Sequence, residues 1–247
     1  MYLLLLAIAP GIAISFYIYL KDKFNREPTK YLIVCFLFGI LCAIPAVLVE
    51  EAGTYLSEQY LQSIIPVAAY IILQAFVVVA FTEEYCKFFV LKRYAFTKPE
   101  FDEPFDGIIY SVMISMGFAT IENIGYVFQN GIGTGIIRMI VSVPAHASFA
   151  VLMGYYAGLA KFNIEKRKQL FLKGLLLATL FHGLFDGFLF LSEEKTITEN
   201  VSSGLLILGG LVSWYLAIRL SLKSIRIHRN LSEQTHKANN QFQPFDH

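Results

Sequence analysis

The chain has 247 residues, 56% of them hydrophobic and only 16% charged, with a net charge of +1 and a mean hydropathy of +0.56. A soluble domain carries about 25% charge, so much of this surface faces something other than water, and a water-soluble globular enzyme is excluded. Lysine and arginine are scattered over short loops and the tail rather than gathered on one face, which speaks against a nucleic-acid partner.

A membrane-spanning helix needs about 20 largely apolar residues. Seven stretches qualify, at 2–20, 31–49, 64–91, 107–129, 135–160, 170–191 and 201–222. The first follows no basic segment and is too long for the apolar region of a signal peptide, so it is expected to be the first membrane helix. The alternation of a β-barrel strand is absent throughout. The expected fold is therefore all-α, a polytopic bundle of about seven transmembrane helices. Cys35 and Cys42 share one run, about 10 Å apart along a helix, too far for a disulfide. No CxxC pattern offers a cysteine zinc site.

The loops predict the orientation. Lys21, Lys23, Arg26 and Lys30 fill the first, Lys92, Arg93 and Lys98 the third, and Lys161, Lys166, Arg167 and Lys168 the fifth, while the tail carries Lys223, Arg226, Arg229 and Lys237. The second loop, near Glu50, Glu51 and Glu58, and the fourth, at 130–134, have none, although Arg138 lies just inside the next helix. The sixth has only Lys195. The bias toward alternate loops places the N-terminus outside and the C-terminus in the cytoplasm, as an odd number of crossings requires. Residues 1–223 are expected to form the membrane domain, and the polar tail 224–247 to be disordered.

Ionisable groups within membrane helices are costly and usually functional. Glu83 and Glu84 lie in the third run, with Lys87 in reach of either at i+4 and i+3. Glu122 follows Phe118 and precedes Asn123 in the fourth run, His146 follows Pro144 in the fifth, and His182 and Asp186 share one helix face in the sixth. Each has a structural alternative: a neutralised Glu–Lys pair, an interhelical hydrogen bond, a carbonyl-bonded histidine, a self-satisfied His–Asp pair. From the cytoplasmic helix ends, however, Glu83 lies about 12 Å deep, His182 about 18 Å, and Glu122 and His146 about 22 Å. Four helices thus bring acids and imidazoles to within about two turns of one another, which points to one shared cavity. Such a cavity suits hydrolysis by an activated water, with or without zinc. A divalent-metal or proton-coupled transporter would use the same cluster.

The pattern of Glu83-Glu84-x-x-Lys87, Phe118-x-x-x-Glu122 and His182-x-x-x-Asp186, in that order on three helices, resembles the PrsW family of bacterial intramembrane proteases, which is related to the CAAX prenyl proteases. The stretch from Phe101 to Tyr110, the Gly117-Phe118-Ala119 block leading to Glu122 and Asn123, and His146 after Pro144 add to the likeness, with a motif core at 64–190. The resemblance implies cleavage of a single-span membrane protein, such as an anti-sigma factor, in the bacterial cytoplasmic membrane. Carried onto this sequence, Glu83, Glu84, Glu122 and His182 would be catalytic, with Glu83 activating water. His146, His182, Glu122 and Asp186 would hold a metal, zinc foremost, and Lys87, Asn123 and Phe118 would support them.

Overall fold

The structure, a computed structural model, describes residues 2–241, and these are helices joined by short connections, with no strand among them. Helices α1 (Tyr2–Lys21) and α2 (Thr29–Tyr60) are followed by a composite rod. This rod comprises α3 (Val67–Leu73), a π-helical stretch (Gln74–Phe81) and α4 (Thr82–Arg93). Then come α5 (Pro104–Ile140), α6 (Ser142–Phe162), α7 (Arg167–Glu193), the single turn α8 (Lys195–Thr198) and α9 (Ser203–Gln241).

Among the described residues, six apolar helical runs are long enough to cross a membrane. One of them, Pro104–Phe162, has 59 residues, or about 90 Å of helix against a hydrocarbon core of about 30 Å. It turns back at Gly131, whose φ of +82° only glycine adopts without strain. The run therefore supplies two crossings, and the bundle has seven, as the hydropathy predicts. A second break falls at Val141, three residues before Pro144, whose ring excludes the amide bond to Ile140. Pro144 accordingly sits in the first turn of α6, and His146 near the start of that helix rather than in its middle.

α5 is the axis of the bundle. Residues 105–120 are all buried, between α6 on one side and α1 and α2 on the other. Its start is written in the sequence Asp102-Glu103-Pro104-Phe105-Asp106. Pro104 opens the helix, and Asp106 accepts from the Asp102 and Glu103 amides at 2.9 and 2.7 Å. The crossing with α2 is set by two glycines: a Cβ on Gly39 would strike the Ile114 carbonyl, and one on Gly117 the Phe36 carbonyl. This contact fixes the rotation of α5, and with it the direction in which Phe118 and Glu122 point.

The expected disordered tail is corrected in part. α9 continues as helix to Gln241, and residues 242–247 lie outside the described residues. The reason is a buried stripe, Ser224, His228 and Ser232, spaced one turn apart in an otherwise polar sequence. His228 is fully buried and stacks on Tyr155 of α6 at 4.2 Å. The polarity of these residues is what conceals the stripe from a hydropathy reading.

On the face with the basic loops, the α1–α2 connection folds under the start of α5. Asn25 donates to Asp102 at 2.7 Å, and the Tyr110 hydroxyl donates to Glu27. Burial, reinforced by neighbouring acids, pushes Glu27 up to about 7 and Asp22 up to about 6. Both carboxyls hold their protons more tightly when folded than when unfolded. Their contribution to stability is thus present at low pH and lost as pH rises, from 3.8 through about 6 for Asp22 and from 4.5 through about 7 for Glu27. The purified protein is expected to unfold at a higher temperature at pH 5.5 than at pH 8, and Glu27→Gln to flatten that slope. A thermal melt across this range checks both.

Candidate active site

The glutamate pair is delivered by a change of helix type. The π-helical turns of Gln74–Phe81 end at Thr82, so Glu83 and Glu84 open α4 on its inward side, 5% and 1% exposed. Wide turns of this kind re-aim the residues that follow and recur at functional sites. The sequence places Lys87 within reach of either glutamate, and the fold joins it to both. Its Nζ lies 2.9 Å from Glu83 Oε2 and 2.8 Å from Glu84 Oε1. A third contact, 3.2 Å to His146 Nδ1, binds α4 to α6. The ammonium also stands 4.2 Å from the centre of the Phe118 ring on α5.

Both histidines join the pair. His182 Nδ1 is 3.0 Å from Glu84 Oε1, and its Nε2 is 3.0 Å from Asp186 one turn on. His146 Nε2 is 2.9 Å from Glu122 Oε2, and the other oxygen of Glu122 meets Arg138 at 2.7 Å. The two imidazoles stand edge to face at 5.2 Å, and Phe149 stacks on His182 at 5.0 Å. Ser115 donates to the His146 carbonyl at 3.0 Å, pinning that turn of α6 to α5. The depths inferred from sequence thus correspond to one cluster on α4, α5, α6 and α7.

The charges do not cancel. Glu83, Glu84, Glu122 and Asp186 outnumber Lys87 and Arg138 by two. In a low-dielectric interior this excess calls for protons, for imidazolium, or for one divalent cation. The donors suit such an ion. Ligand atoms of Glu83, Glu84, His146 and His182 all lie within 4.8 Å of one another, and carboxylate oxygen with imidazole nitrogen is a zinc-type set. Glu84 Oε2 is buried without a hydrogen-bond partner, a donor left open toward a cation. Lys87 is the competitor, since its ammonium already bridges the same glutamates. The converging donors differ from the set expected from sequence, which was His146, His182, Glu122 and Asp186. The Nδ1 atoms face Lys87 and Glu84, so Glu122 and Asp186 hold the far ring nitrogens and orient the rings instead.

Of the supporting residues, Phe118 lies beneath Lys87, whereas Asn123 turns away. Its amide donates to the Ala7 carbonyl on α1 at 2.9 Å and its oxygen accepts from Arg138 at 3.0 Å. Two groups at the cluster are not picked out by the sequence motifs. Glu50 of α2 is close enough to feel the charges of Glu83, Glu122, Lys87 and His182, and its Oε1 is buried without a hydrogen-bond partner. Its signal is weak, an acid one residue past an apolar run. Arg138 lies in a loop-proximal stretch where one basic residue reads as interfacial.

Comparison with known proteins follows the same line. A family described as "PrsW family intramembrane metalloprotease" matches residues 27–218. A protein named "Protease PrsW" from Geobacillus kaustophilus is 39% identical over 188 residues, 76% of this chain and 79% of that protein. One of the same name from Clostridioides difficile is 34% identical over 245 residues, 96% of this chain and 95% of its own. The Bacillus subtilis "Protease PrsW" is 34% identical over 180 residues, 72% and 78% of the two chains. No solved structure matches the chain.

Proposed function

We propose, from the premise that the chain belongs to the PrsW family of intramembrane metalloproteases, that Glu83 and Glu84 are the carboxylates with which this membrane protease hydrolyses a peptide bond of a single-span substrate. The carrying observation is the buried pair itself, tied through Lys87, His146 and His182 to two further helices, α6 and α7.

In this reading Glu83 takes a proton from water as the water oxygen attacks the peptide carbonyl carbon. The Lys87 ammonium, held by Glu83, Glu84 and His146, supplies fixed positive charge beside the developing oxyanion, so little reorganisation is needed when charge appears. The C–N bond then breaks, and the proton carried by Glu83 passes to the leaving nitrogen, giving a new carboxylate and a new amine. Asp186 and Glu122, behind the two rings, keep each imidazole turned toward the cleft. Donors of Glu84, His146 and His182 would hold a zinc ion, leaving Glu83 as base; such an ion would supply a more acidic water and a polarised carbonyl.

The substrate class follows from the setting. A site walled by membrane helices admits a segment already in the bilayer, which supports single-span proteins of the anti-sigma-factor type. The basic loops at one face support a cytoplasmic C-terminus, and the bacterial relatives a place in the cytoplasmic membrane. Residues 1–223 would form the protease domain. A transporter based on the same cluster has no support beyond the cluster.

The test is twofold. Membranes from cells carrying the wild type should contain amino-terminal fragments of single-span proteins that are missing with Glu84→Ala; identical fragment patterns would refute the proteolytic role of the pair. Purified protein should carry zinc, lose activity on chelation and recover it with added zinc. Full activity after complete metal removal would refute the zinc assignment alone.

A further inference from the structure

The reversal at Gly131 does more than join two membrane crossings. It sends the short helical stretch 132–140 back along α5, carrying Arg138 toward the cluster. The guanidinium is largely buried, with a side-chain exposure of 12%. It engages consecutive residues of α5 with different edges: Nη2 lies 2.7 Å from Glu122 Oε1, and Nε donates to Asn123 Oδ1 at 3.0 Å. Its plane lies over Tyr126, 4.0 Å from the ring centre. Asn123 is itself fastened to the Ala7 carbonyl of α1, so the acceptor of the Nε bond is braced against a second helix.

Glu122 is the joint. One oxygen is taken by Arg138 and the other by His146 Nε2 at 2.9 Å, while His146 Nδ1 faces Lys87. A continuous line of polar contacts therefore runs from Arg138 through Glu122 and His146 to Lys87 and the glutamate pair. Glu122 is the more exposed of these, with 21% of its side chain accessible, and Arg138 holds the oxygen that His146 does not. A carboxylate free to rotate would release the ring it holds.

We propose that Arg138 is a positioning residue of the protease: by fixing Glu122 it fixes His146, and so the Lys87 ammonium that bridges Glu83 and Glu84. Arginine is required rather than lysine, because only a planar fork reaches Glu122 and Asn123 at once while stacking on Tyr126. The inference rests on the proteolytic reading of the site, and the experiment separates the two. It goes beyond a structural clip for the Gly131 turn, since a clip would not act through Glu122.

The test uses the full chain in lipid vesicles with a fluorescence-quenched single-span peptide that the wild type cleaves. Arg138→Met is expected to lower kcat at least tenfold with KM within twofold, and Arg138→Lys to recover only part of the loss. Because the effect runs through Glu122, the double variant Arg138→Met/Glu122→Gln should be no slower, within twofold, than Glu122→Gln alone. If Arg138→Met gives no cooperative thermal transition, the same cycle is run with Arg138→Lys. Losses that multiply in the double variant, a change confined to KM, or wild-type kcat in Arg138→Met would each overturn the inference. Equal cleavage by the wild type and Glu83→Gln would instead overturn the reading of the site, and the role of Arg138 with it.

Discussion

Glu83→Gln is expected to lower kcat by about 10²–10⁴-fold, the range that a positioned general base contributes. The substitution keeps the shape of the side chain and leaves Lys87 bonded to Glu84 at 2.8 Å and to His146 at 3.2 Å. The cluster should therefore remain assembled, KM should stay near the wild-type value, and the thermal midpoint should move little. What is lost is the group that accepts a proton from water at the moment of attack. A steady-state assay on a quenched single-span peptide, with a melt on the same preparation, checks the separation. A kcat within threefold of wild type would remove Glu83 from the chemistry.

Lys87→Met acts on the opposite term and should be the most destabilising single change in the cluster. Lys87 is 2% exposed and bonded to two carboxylates that are themselves buried. Removing one partner of a buried ion pair costs about 3–5 kcal/mol, because the remaining charge is left without compensation. Here two carboxylates are left rather than one. Two consequences follow from the charge balance. Zinc added to Lys87→Met should raise its melting temperature more than it raises that of the wild type, since a divalent cation restores the missing positive charge at the same oxygens. Adding Glu83→Gln to Lys87→Met should likewise recover part of the loss, against the usual accumulation of damage. A Lys87→Met protein as stable as the wild type would show that the triad is not a charged assembly.

The parts of this molecule legible in the sequence are those governed by one helix at a time. Helix length and apolar content give the seven crossings, and the 3.6-residue repeat puts Lys87 beside Glu83 and Glu84 and Asp186 beside His182. Depth along each helix grows by about 1.5 Å per residue, which is why Glu83, Glu122, His146 and His182 could be expected at similar levels. What stays hidden depends on rotation between helices. The Gly39 and Gly117 contacts of α2 with α5 settle which way Glu122 faces, and the breaks at Gly131 and Val141 settle where Arg138 and His146 lie. The family resemblance implies His146, His182, Glu122 and Asp186 as a ligand set, and the donors that converge within 4.8 Å are Glu83, Glu84, His146 and His182. Each imidazole has two nitrogens, and only the assembled bundle decides which of them faces the cavity. The buried stripe of α9 escapes for another reason. Ser224, His228 and Ser232 are polar, and their burial comes from packing on neighbouring helices rather than from hydropathy.

The central claim, that this buried glutamate pair cuts peptide bonds inside the bilayer, is met most directly by product analysis. Wild type and Glu83→Gln are reconstituted separately into vesicles with a single-span bacterial membrane protein, and the product termini are read by mass spectrometry. The account predicts a new carboxyl terminus within or at the edge of the substrate's apolar span, formed by the wild type and missing with Glu83→Gln. The same product from both proteins, or cleavage confined to the substrate's soluble domain, would contradict it.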